Sequence, residues 1–137
     1  MIVLLDTNIL LDVLQRRSPH DSAAIRVWER VERGEIEGHV SAISFNNIFY
    51  IARKQQGVAR AMAAVNAVRP VFRLVPLDEH GLDRALALAV NDLEDAIQAA
   101  AASRVGADYV VTRNAKDFAP LGVPAVTAEE LLALLTP

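Results

Sequence analysis

Ile2-Val3-Leu4-Leu5-Asp6-Thr7-Asn8 is the stretch on which the fold turns. Four strand-forming apolar residues run without a polar break into a carboxylate and two small polar side chains. A parallel strand buried on both faces has this pattern, and it delivers polar groups at its carboxyl end. In open α/β sheets that end is where ligands bind. Beyond this stretch, acidic or amide clusters recur at Asn46-Asn47, at Asp92 with Glu94-Asp95, and at Asn114 with Asp117. Their recurrence points to a composite metal site.

The flanking sequence alternates between strand and helix patterns. Residues 9–14 read as a short helix with Asn8 or Thr7 near its N-cap, closed by Arg16-Arg17-Ser18-Pro19. Helices are also predicted over 20–33, from Ser44 to the break at Gly57, over 58–68, 78–90 and 93–104, the last two hinged near Asn91-Asp92. Strands are predicted over 38–42, 71–75 and 109–112, with a short fifth inside 120–126. Thr127 with Glu130 three residues later forms a capping box for a final helix. Strands alternating with helices imply a parallel sheet covered on both faces, an α/β fold. With 137 residues and no linker, repeat or low-complexity tract, the expectation is one domain over 1–137.

Composition narrows the chemistry. Hydrophobic residues make up 53% of the chain and aromatics only 5%, so the interior is built of Ala, Leu, Val and Ile. Cysteine is absent, and His20, His39 and His80 are scattered without ligand spacing, which excludes disulfides and thiolate sites. A metal would be held by oxygen, hence Mg²⁺ or Mn²⁺. No segment has the roughly 18 to 20 apolar residues of a membrane span and no basic, apolar leader opens the chain, so a cytoplasmic protein is expected. The net charge of −3 argues against a nonspecific nucleic-acid binder. If several acids converge on a metal, however, the remaining surface keeps cations such as Arg16, Arg17, Arg53, Lys54, Arg113 and Lys116 for a phosphate-binding rim.

Each cluster has a structural and a chemical reading. Asp6-Thr7-Asn8 serves as a helix cap. In its chemical reading Asp6 ligates a divalent cation, while Thr7 and Asn8 orient it or a substrate phosphate. Asp92, Glu94 and Asp95 suit the first turn of a helix through its dipole. Asp95 nevertheless sits among Ala96, Ile97, Ala99, Ala100 and Ala101 on a face that should pack, where an isolated carboxylate is costly. Asp92 and Asp95 share a helix face, with Glu94 pointing elsewhere. Thr112-Arg113-Asn114-Ala115-Lys116-Asp117-Phe118 follows a strand as Asp6 does, and the two loops face one crevice if their strands are neighbours.

Together, the N-terminal Leu-Leu-Asp-Thr-Asn, the helical Glu-Asp-Ala at 94–96 and the late Val-Val-Thr-Arg-Asn-x-Lys-Asp-Phe at 110–118 resemble the PIN domain, the fold of many VapC-type ribonuclease toxins. The resemblance covers nearly the whole chain. It implies an α/β/α sandwich with a parallel sheet of four or five strands, a Mg²⁺- or Mn²⁺-dependent endoribonuclease site, homodimers and a partner antitoxin. It places Asp6, Asp95 and Asn114 with Asp117 on the family's acidic positions. One departure stands out: in Ser41-Ala42-Ile43-Ser44-Phe45-Asn46-Asn47-Ile48, Asn47 falls where the family commonly has a glutamate, which lowers the negative charge by one.

The expected function is therefore a metal-dependent endoribonuclease, the toxin of a toxin-antitoxin pair. Asp6, Asp95 and Asp117 would hold the metal, with Asn47, Glu94 and Asn114 as further direct or water-mediated ligands. Thr112 or Thr7 would position the attacking water, and Arg113 and Lys116 would hold substrate phosphates. Two alternatives stay open. One is a PIN-like module, weakened at Asn47, that acts through RNA or protein contacts alone. The other is a phosphatase with Asp6 as nucleophile, although that scheme wants a second aspartate two residues on, where the chain has Asn8. No glycine-rich phosphate loop is present, so nucleotide-dependent enzymes are poor candidates.

Overall fold

A computed structural model describes residues 1–88 and 91–135. In chain order the elements are β1 (Ile2–Leu5), α1 (Thr7–Leu14), α2 (Asp21–Glu32), β2 (Glu37–Ser41), α3 (Ala42–Gln56), α4 (Val58–Val68), β3 (Arg73–Val75), α5 (Glu79–Ala87), α6 (Leu93–Arg104) and β4 (Tyr109–Val111). A 3₁₀ segment (Ala115–Leu121), β5 (Ala125–Val126) and α7 (Ala128–Leu135) complete it. The helix expected over 78–90 ends in part outside the described residues.

All five strands are parallel, in the order β3-β2-β1-β4-β5. From β1 the chain adds β2 and β3 on one side, then crosses to add β4 and β5 on the other. This reversal opens a crevice outside the carboxyl ends of β1 and β4. Alternation along the strands builds a core on each face. Val3, Leu5, Val40 and Val111 face α1, α2, α3, α4 and α7, whereas Leu4, Val75 and Val110 face α6 and the 3₁₀ segment. The result is the expected three-layer α/β/α sandwich.

The alanine run of α6 brings that helix close to the sheet, with Ala96, Ala99 and Ala102 almost wholly buried. A close approach also explains Gly38, since a Cβ there would sit 2.8 Å from the Phe72 ring and 2.9 Å from the Val31 methyls. Phe72 in turn meets Trp28 edge to face, with centroids 4.9 Å apart.

Element ends depart from the expectations where local hydrogen bonds override periodicity. Asp6 itself caps α1, so the helix starts at Thr7, two residues early. Ser41 caps α3 through Ile43 N–H, which puts Ser44 inside the helix instead of at its start. Val71 and Phe72, assigned to a strand, donate to the Val68 carbonyl and close α4, leaving β3 only three residues. Thr127 and Glu130 do form the reciprocal capping box, at 2.9 and 3.1 Å.

Candidate functional site

Asp6 stands at the carboxyl end of the central strand, in the switch-point crevice. Its backbone is extended (φ −68°, ψ 152°) and its amide donates to the Val111 carbonyl, which ties it to the end of β4. One carboxylate oxygen accepts from Thr7 N–H at 2.7 Å, and the other accepts from Thr112 Oγ1 at 2.9 Å. Thr112 is fully buried and accepts in turn from Asn114 N–H at 3.2 Å. Asp6 thus caps α1 and holds its carboxylate between β1 and β4 at once.

Asp6 is only 6% exposed, and burial drives its pKa up to about 6. The Thr112 and Thr7 hydrogen bonds pull it down, while Glu94 and Asp92 push it up. Asp95 is also raised to about 6, first by desolvation and then by repulsion from Asp92, Asp6, Asp117 and Glu94. Asp6 and Asp95 therefore feel each other or their acidic neighbours from three chain regions. A cleft of about 420 Å³ opens beside Asp95, lined by Asp92, Asp95, Lys116 and Asp117, with Asp6 and Glu94 outside its lining.

The elements explain the convergence. Asp92 caps α6, accepting from Asp95 N–H at 3.1 Å, so the first turn of that helix carries Glu94 and Asp95 toward the strand ends. Asp117 lies in the first turn of the 3₁₀ segment, which Asn114 opens. The donor set is all oxygen, the chemistry that suits Mg²⁺ or Mn²⁺. Among the described residues no three acid or histidine side chains are drawn tightly enough to hold an ion as they stand.

Several residues expected at the substrate rim lie elsewhere. Thr7 is 3% exposed and its hydroxyl is held inside, donating to Glu94 Oε2 at 2.9 Å and lying 2.8 Å from Ser44 Oγ. Glu94, expected to point away, turns to this hydroxyl. Arg113 sends Nε and Nη2 to the two oxygens of fully buried Asp12, at 3.0 and 2.7 Å, so its guanidinium is committed to α1. Asn8 is half-buried and accepts from Arg17 at 3.5 Å. Lys116 alone of the expected phosphate holders lines the cleft. Asn47 is half-buried on α3, and among the described residues neither the cleft lining nor the hydrogen bonds around Asp6 include it.

Besides Asp12, two buried polar residues next to Thr7 escaped the sequence reading. Ser44 and Gln98 are both 0% exposed, and the Gln98 amide donates to Ser44 Oγ at 3.0 Å. The available signal was Gln98 itself, the lone amide in an alanine-rich helical face, one turn after Glu94.

Comparison with known proteins agrees with this geometry. No curated protein sequence matches the chain. Among solved structures, VapBC2 from Rickettsia felis, bound to a DNA fragment from its promoter, aligns with TM-score 0.75 at 16% identity, covering 93% of this chain and 98% of that one. VapC20 of Mycobacterium tuberculosis, a sarcin-ricin loop cleaving toxin, aligns with TM-score 0.75 at 17% identity over 91% and 98% of the two chains. A toxin-antitoxin complex from Klebsiella pneumoniae aligns with TM-score 0.68 at 28% identity over 92% and 97%. Residues 2–116 match the family model of the PIN domain, and the chain belongs to the PIN-domain family.

Proposed function

We propose that the protein is a metal-dependent endoribonuclease acting as the toxin of a toxin-antitoxin pair. The observation that carries this reading is the convergence of Asp6, Asp92, Glu94, Asp95 and Asp117 on the β1/β4 crevice, expressed in the raised pKa values of Asp6 and Asp95. Asp6, Asp95 and Asp117 would hold Mg²⁺ or Mn²⁺, with Glu94 and Asn114 as outer partners, while Asn47 stands apart from the cleft lining. Such a cation would supply Lewis acidity that lowers the pKa of water and offsets charge building on the phosphate. The chain's own residues do the rest. Thr112 locks the Asp6 carboxylate through its hydroxyl, and Lys116 meets a substrate phosphate. The water oxygen bonds to phosphorus, the bond from phosphorus to the leaving sugar oxygen breaks, and the proton lost by water ends on that oxygen.

An antitoxin partner is supported by solved structural relatives that are VapBC or other toxin-antitoxin complexes. A homodimer enters through the family resemblance, and Leu82 and Leu86, four residues apart on α5 and both exposed, are candidates for its contact. No helix among the described residues is long and apolar enough to cross a membrane.

The test is cleavage of a mixed RNA pool with and without Mn²⁺ by the wild type, Asp6→Asn and Asp95→Asn. Cleavage that needs the metal and falls on the order of 10² to 10³ in both variants supports the reading. Asn47 favours a second one, a PIN module that binds RNA or protein without cutting. Metal-independent RNA binding without cleavage by the wild type selects it, and undiminished cleavage by both variants sinks the site assignment.

A further inference from the structure

Gln98, Ser44, Thr7 and Glu94 form a chain of hydrogen bonds that crosses three helices. The Gln98 amide nitrogen lies 3.0 Å from Ser44 Oγ and 3.4 Å from Thr7 Oγ1. Ser44 Oγ lies 2.8 Å from Thr7 Oγ1, which lies 2.9 Å from Glu94 Oε2. Only one direction gives every contact a hydrogen. Thr7 has a single hydroxyl proton, and the Glu94 carboxylate only accepts, so that proton goes to Glu94. Ser44 must then donate to Thr7, which leaves Ser44 needing a donor, and only the NH₂ end of Gln98 can serve. Turning the amide over would leave Ser44 one proton for two contacts, so either Ser44–Thr7 or Gln98–Ser44 would lack a hydrogen.

The direction has a visible consequence. Gln98 Oε1 is buried and has no partner among the described residues, although buried amide carbonyls are normally satisfied. An apolar side chain of similar shape would carry no such unsatisfied carbonyl, so what Gln98 contributes is its donor to Ser44. Glu94 and Gln98 are four apart on α6 and so share one face, while Asp95 turns to the cleft.

We infer that Gln98 is a positioning residue for the acidic site, acting through Ser44 and Thr7 to fix the carboxylate of Glu94 against the crevice. This rests on the metal-site reading above, in which Glu94 is an outer partner of the cation. Outer partners of this kind orient metal-binding groups and typically change affinity by about 10- to 100-fold when removed.

The experiment measures Mn²⁺ affinity by calorimetry and thermal stability in chelator for Gln98→Met, Ser44→Ala, Glu94→Gln and the pairs with Glu94→Gln. Gln98→Met, close in shape and without a donor, should weaken Mn²⁺ by about 3- to 10-fold while melting in chelator no lower than the wild type. In the Glu94→Gln background it should have no further effect, because residues acting through one contact are not additive. Thr7→Ser, which keeps the hydroxyl, should retain wild-type affinity where Thr7→Val does not. A metal-free measurement runs beside this: exchange of the Gln98 side-chain amide protons should be slow in the wild type and faster in Glu94→Gln and Thr7→Val. Gln98→Met that melts lower with unchanged Mn²⁺ affinity, additivity with Glu94→Gln, or fast amide exchange in the wild type would each overturn the inference. A wild type that binds no Mn²⁺ overturns the nuclease reading instead, and the amide exchange then decides the chain by itself.

Discussion

Asp6 caps α1 and is the proposed site's buried carboxylate, and its burial makes stability depend on pH. A carboxyl that titrates near 3.9 in the unfolded chain and about 6 when folded binds more protons in the folded state between those values. Stability therefore falls as pH rises from about 4 to 6. For Asp6 the loss is roughly 3 kcal/mol, and the exposed part of Asp95 adds to it in the same direction. Asp6→Asn keeps a good cap and removes the buried charge. In chelator it should melt above the wild type at pH 7 and converge with it below pH 4, a comparison read from thermal melts across that range. Equal melting at pH 7 would mean that the buried carboxylate costs nothing.

Between elements, the Asp12–Arg113 pair joins α1 to the loop that follows β4. Removing one partner strands a charge in the interior. Arg113→Met should lose about 3 to 5 kcal/mol in urea denaturation, and Asp12→Leu with Arg113→Met should recover most of it. Lys116, exposed in the cleft, contrasts with it. Lys116→Ala should stay within about 0.5 kcal/mol of the wild type in stability. It should nevertheless weaken RNA binding and reduce the salt slope by roughly 0.7 to 1. A salt titration separates these roles, since loss of slope in Arg113→Met at full stability would return Arg113 to the phosphate rim. Gly38→Ala forces a methyl against Phe72 and Val31 and should cost about 1 to 3 kcal/mol by the same denaturation.

For the molecule as a whole, the proposed metal site would couple folding to metal. A ligand that binds only the folded state adds RT ln(1 + [L]/Kd), roughly 2.7 kcal/mol at a hundredfold excess over Kd. For a domain of this size that is a rise of several degrees in melting temperature. Wild type in millimolar Mn²⁺ should show this rise over chelator, and Asp6→Asn should show less of it. An equal response of the two proteins would take Asp6 out of the metal site.

Much of this was legible in order along the chain. An apolar run ending on Asp6 and a second ending on Thr112 fix two buried parallel strands, because a strand covered on both faces has no polar alternation to show. The alanine-rich helix after Asp92 and the Thr127–Glu130 box are equally local, set by spacing and by backbone donors that need partners. Tertiary structure decided what those side chains meet. The spacing of Arg113 and Thr7 is the same whether they face a phosphate or the interior, and only the folded chain brings Asp12 against the first and Ser44 and Glu94 against the second. Gln98 and Ser44 join the site across 54 residues of sequence. Their role depends on which hydroxyl each hydrogen reaches, and no periodicity records that.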